Sequence, residues 1–140
     1  MEASAGHRLM PHTADVIVEA WGPTRDACLR QAVLGFVGMF ADVGDAKASD
    51  RVPLSFPPDS GEDLVVVLLE EVLYLLDAED RVPVDVTISA TADGGLEGVF
   101  HVVPATAVGQ HGAVPKAVTR HGLQLCQHAD AWSCRATVDV

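Results

Sequence analysis

Three short stretches of this chain hold side chains whose types and spacing could do chemistry. The first is His12-Thr13-Ala14-Asp15, an imidazole and a carboxylate three residues apart in a polar segment. Such a pair is ordinarily solvated, yet both groups could ligate a metal. The second is Lys116 with Thr119 and His121. In an extended strand like faces recur every two residues, so Thr119 and His121 share a face and Lys116 lies out of register with both. The third is the end of the chain, Asp139-Val140. An acidic side chain followed at once by the α-carboxylate gathers hard oxygen donors, which suits Ca²⁺, Mg²⁺ or Mn²⁺. Termini usually fray, but here an apolar strand pattern runs up to the last residue.

Other chemistries have no foothold. The sequence contains no nucleophile elbow, phosphate-cradling glycine loop or His-Glu-x-x-His. Asp93-Gly94-Gly95 reads as a hairpin turn. Cys28, Cys126 and Cys134 are odd in number and form no Cys-x-x-Cys, against both a disulfide framework and a thiolate zinc site. Cys28 on a helix face and Cys134 in the apolar register of a strand read as small buried hydrophobes. Nine basic residues against 20 acidic ones leave a formal charge of −11, with no basic cluster. Direct binding of a phosphate backbone relies on Lys and Arg, so any work on RNA is expected to go through a protein or a metal. The same charge also serves plain solubility.

The elements that must position these groups follow from periodicity. An extended run over 16–21 precedes a helix opened by Thr24 as N-cap, with Asp26 in its first turn. Leu29, Val33, Phe36, Val37 and Phe40 recur at three- and four-residue spacing, so the helix covers a core and ends near 41 or 42. A short strand over 52–56 carries Pro53, which places it at an edge. Ser60-Gly61-Glu62-Asp63 opens a second helix over 63–76, apolar nearly all round and so largely buried. From Val82 the period becomes two, giving a hairpin of 82–88 and 96–103. A loop over 104–115 leads to two final strands, 117–125 and 132–140, the last with Trp132, Cys134, Ala136 and Val138 on one face and Arg135, Thr137 and Asp139 on the other. The expected fold is α+β, a single domain over 1–140 with a flexible N-terminus over 1–10. Its order is β-α-β-α-β-β-β-β, a mostly antiparallel sheet with two helices packed on it. With 49% apolar but only 5% aromatic residues, Val, Leu and Ala must fill the interior. No apolar run approaches the roughly 18 residues of a membrane span, and the first residues show no secretion signal. A cytoplasmic monomer is the expectation.

Taken in order, several pieces resemble the archease family. They are His12-Thr13-Ala14-Asp15 with Glu19-Ala20-Trp21-Gly22, then Glu71-Val72-Leu73-Tyr74-Leu75-Leu76-Asp77, then Lys116-Ala117-Val118-Thr119 with His121, and the closing Val138-Asp139-Val140. The resemblance spans 11–140 and implies the archease fold. It further implies a metal-binding cofactor that activates an RtcB-type RNA ligase in tRNA splicing and RNA repair, promoting guanylylation of the ligase and multiple turnover. On that resemblance the divalent metal (Ca²⁺, Mg²⁺ or Mn²⁺) is held by Asp15, Asp139 and the terminal carboxylate of Val140. Lys116 carries the family's essential lysine, and His12 joins the functional set. RNA is then reached only through the ligase, and the chain is not itself an enzyme. Three carboxylates without a counter-charge would repel one another, which makes a bound cation physically reasonable. The sequence departs from the family pattern at Arg120-His121-Gly122 (Tyr-His-Asp in the family) and at Ile17 (Gly in the family). The loop over 104–115 also lacks the usual acidic residues. Two other classes stand beside this reading: a chaperone-like interaction module, and a stand-alone enzyme using a metal-activated water.

Overall fold

The computed structural model describes residues 4–11 and 15–140. In chain order the strands and helices are β1 (Gly6–Pro11), β2 (Asp15–Gly22), α1 (Arg25–Gly38), β3 (Ala41–Asp42), β4 (Asp50–Phe56), α2 (Gly61–Glu79), β5 (Arg81–Ala90), β6 (Leu96–Pro104), β7 (Gly109–Gln110), β8 (Ala117–His128) and β9 (Ala131–Asp139). This is the expected α+β fold of two helices and antiparallel strands.

Both helices start where their side chains satisfy the first free backbone donors. Thr24 Oγ1 accepts from the Ala27 N–H at 3.0 Å, and Asp26 lies in the first turn of α1. Ser60 Oγ accepts from the Asp63 N–H at 3.2 Å and donates to the Asp63 carboxylate at 2.8 Å. Helix α2 runs three residues beyond the expected end. It stops at Asp80, whose left-handed φ of 52° an aspartate tolerates better than most residues.

The strands form two main sheets rather than one. The larger has the order β1-β2-β9-β8, the smaller β4-β6-β5, and β3 and β7 make a two-residue ladder. Strand β4, with Pro53, is an edge as expected, because proline cannot donate to a second neighbour. The N-terminal segment differs from expectation. Residues 6–11 are a paired strand, with Arg8 opposite Glu19 and Met10 opposite Ile17. Arg8 explains part of this, bonding Glu19 at 2.9 Å and lying over the Trp21 ring.

Helix α1 packs on β2 and β5, and α2 on β8 and β5, so the helices hold the inner faces of both sheets. The core contains Phe36, Phe100, Leu29, Leu64, Leu68, Leu69 and Leu75, all fully buried. Each such side chain contributes about 1.5–3 kcal/mol of burial. Val18, Ala20, Ala136 and Val138 close it from the larger sheet, leaving that sheet's other face to carry polar groups. No helix among the described residues is long and apolar enough to cross a membrane.

Candidate functional site

The outer face of the larger sheet is where the candidate residues meet. Strand β2 begins at Asp15 and β9 ends at Asp139, and the ladder pairs these two directly. Directly opposed residues in an antiparallel pair point to the same face, with Cβ atoms roughly 5 Å apart. On its other side Asp139 pairs with Ala117 of β8. The Asp139 carbonyl also accepts the Lys116 N–H at 2.8 Å. Two carboxylates and the backbone of Lys116 are thus gathered in one row at one end of the sheet.

Asp15 is half-buried, Asp139 and Lys116 are exposed, and Val140 packs partly against the core. His12, the remaining sequence candidate, lies outside the described residues. Among the described residues no three His, Cys, Asp or Glu side chains converge on one point. The side-chain donors are therefore two carboxylates, with Val140 adjacent in sequence to one of them. An all-oxygen set of this kind fits a hard divalent cation and offers nothing to a thiophilic one.

Beside this row lies a hollow of about 320 Å³, lined by Asp15, Ile17, His121, Gly122, Gln124, Arg135 and Thr137. A distortion in β8 shapes it. Thr119 pairs with Thr137, but the next pair is Gln124 with Arg135, so residues 120–123 stand opposite Ala136 alone. The alternation expected to put Thr119 and His121 on one face therefore fails at this bulge. Gly122 takes a φ of +69°, and Thr137 Oγ1 donates to the His121 carbonyl at 2.8 Å. The Arg120 side chain reaches from β8 to pair with Asp63 in the first turn of α2. The Ser60 hydroxyl and this guanidinium together hold the Asp63 carboxyl below its ordinary value.

Arg135 and Thr137, in the same strand register as Asp139, both line the hollow. Gln124 joins them only because the bulge shifts the register of β8, and no local signal marks how many residues a bulge takes up. A second charge pattern runs along the outer face: Glu19 binds Arg8 at 2.9 Å and approaches Arg135 at 3.7 Å. Arg135 is thus the basic side chain of the hollow, already drawn toward a carboxylate.

Comparison with known proteins gives a consistent result. Residues 7–140 match the model of the Archease protein family. A protein of Mycobacterium tuberculosis (strain H37Rv) named a probable archease is 46% identical over 137 residues, 98% of this chain and 76% of that protein. The archease of Pyrobaculum neutrophilum is 26% identical over 97% of this chain and 96% of its own. In fold, the chain is similar to the solution structure of protein 1598 of Methanobacterium thermoautotrophicum, with TM-score 0.70 and 20% identity over 96% and 99% of the two chains. It is also similar to the crystal structure of a Thermotoga maritima protein described as an archease and possible chaperone, with TM-score 0.65 and 18% identity over 95% and 96%. With its sequence matched across nearly its whole length and its strands arranged as in these structures, the chain belongs to the archease family.

Proposed function

We propose that this protein is an activating cofactor of an RtcB-type RNA ligase, and that it carries a divalent cation at Asp15, Asp139 and the α-carboxylate of Val140. The observation that carries the reading is the direct pairing of Asp15 with Asp139, from opposite ends of the chain. Like charges directly opposite one another destabilise a strand pair, and a bound cation reverses the sign of that interaction. The side chains present fit such an ion, which supplies a fixed positive charge that can order phosphate oxygens. The chain's own residues do the rest. Asp15 and Asp139 hold the ion at the sheet end, Lys116 adds an exposed ammonium next to it, and the His121–Gly122 bulge with Arg135 shapes the adjoining hollow. His12 completes the functional set. RNA is contacted through the ligase, consistent with a chain of net charge −11.

The test mixes the protein with its ligase at sub-stoichiometric ligase, following guanylylation of the ligase and RNA joining. Wild type is expected to stimulate both, while Asp15→Ala, Lys116→Ala and Asp139→Ala remain folded and do not. Mn²⁺ or Ca²⁺ titrated alone is expected to raise the melting temperature of wild type. Asp139→Asn should weaken that binding by about tenfold or more. A wild-type protein without effect on the ligase would overturn the reading. Turnover of RNA without a ligase would instead identify a stand-alone metal enzyme. Metal-independent holding of unfolded proteins, insensitive to Asp15→Ala, would favour a chaperone-like module of the kind named for the Thermotoga protein.

A further inference from the structure

At the C-terminal end of α2 lies a cavity of about 440 Å³ that shares no residue with the hollow lined by Asp15 and Arg135. Phe40, Val82 and Ala105, all buried, form part of its lining, and Leu76, Val108 and Val114 extend the apolar surface. Its acidic groups are two carboxylates, Asp77 and Asp80; Gln110 and His111 are the other polar residues, and the lining has no lysine or arginine.

Those carboxylates sit where electrostatics disfavours them. The C-terminal end of a helix carries a partial negative charge and favours cations. Here the last turn of α2 has no basic residue and is followed by Asp80. Arg81, the nearest cation in sequence, is taken up by Glu79 and Asp50. Among the described residues neither Asp77 nor Asp80 has an ion pair. Helix end and side chains together therefore present negative charge, with no lysine or arginine paired to it, beside a largely apolar space.

The walls are fixed in place by the backbone. The Ala105 N–H donates to the Asp80 carbonyl at 2.7 Å, and the His111 N–H to the Phe40 carbonyl at 3.1 Å. Gly112, with φ +66°, brings the loop so near α1 that a Cβ there would lie 2.3 Å from the Met39 carbonyl oxygen. A cavity held from three sides needs little ordering on binding, and its volume lies in the range of small-molecule sites.

We propose that this cavity binds an organic cation built of an apolar stem and a guanidinium or ammonium head. The stem packs on Val82, Ala105 and Val108, and the head is held between Asp77, Asp80 and the carbonyl end of α2. Two sources share this chemistry, a free alkylguanidine or alkylamine and the side chain of an arginine on a partner segment. The site does not rest on the ligase reading, and each can fail alone.

The experiment is a titration of the full chain by methyl NMR with butylguanidinium, blocked arginine amide, guanidinium and butanol. Saturable shifts at Val82, Val108 and Val114 are expected with butylguanidinium. Charge without stem (guanidinium) and stem without charge (butanol) should each bind about tenfold more weakly or worse. Asp77→Asn/Asp80→Asn removes exposed charges and leaves the core untouched. It should weaken butylguanidinium about tenfold while melting no lower than wild type. Val108→Trp, which places an indole in the space, should abolish binding. If blocked arginine binds as well as butylguanidinium, the natural ligand is a partner's side chain; if it is excluded, the ligand is a free small cation. Absence of saturable shifts at these valines, equal binding of guanidinium alone, or indifference to both variants would overturn the proposal.

Discussion

Arg30 and Asp85 join α1 to β5 through two hydrogen bonds, 2.8 and 3.2 Å long. Burial pushes the Asp85 carboxyl up, but the Arg30 guanidinium and the Val86 N–H outweigh it and hold it below the ordinary aspartate value of 3.8. The unfolded chain then takes up the proton more readily than the folded one. The stability this group contributes is complete above 3.8 and is lost as pH falls through the lower, folded value. Both side chains are more than a third exposed, so solvent screening limits the pair to about 0.5 kcal/mol. Asp85→Asn should lower stability by that much at neutral pH and by less at about pH 3, read from urea unfolding. The thiols make a second test at this scale. Burial pushes Cys28 up to about 11 and Cys134 up to about 12, whereas Cys126 is only half-buried. Ellman's reagent should therefore titrate Cys126 first in the native protein, and all three cysteines only after unfolding.

Among the elements, β8 carries the irregularity that shapes the candidate site. Its bulge over residues 120–123 lies against the candidate site. Gly122 occupies left-handed backbone, so Gly122→Val should destabilise the fold by about 1–2 kcal/mol. Arg120→Ala should leave stability within about 0.5 kcal/mol, because the ion pair it removes is largely solvated. It should nevertheless loosen the bulge, seen as faster amide exchange at 120–123. The helices were legible in advance because a cap and an apolar stripe are local: Thr24 and Ser60 start α1 and α2 as their neighbours in sequence dictate. The extent of α2 was less so, since Asp77, Ala78 and Glu79 carry no stripe and are helical only because the preceding turns are anchored. The bulge itself had no local mark beyond a glycine.

On the scale of the whole molecule, two sheets share one core through two helices. Leu68, fully buried on α2, should cost about 2–5 kcal/mol as Leu68→Ala, measured by denaturant unfolding. The sequence by itself determined the two helices, the Asp93-Gly94-Gly95 hairpin, the acidic charge and the apolar register of β9, since each depends on neighbours a few residues apart. It also held, as residue types in order, the acidic pair and Lys116 that mark the candidate site. Only the tertiary structure decided that Asp15 lies across from Asp139, that residues 6–11 form an edge strand, that the strands divide into two sheets, and that β8 bulges beside the site. These are matters of register between distant strands. Register is set by which faces the helices bury and by how many residues a bulge absorbs, and neither quantity is written in the local pattern of any one strand.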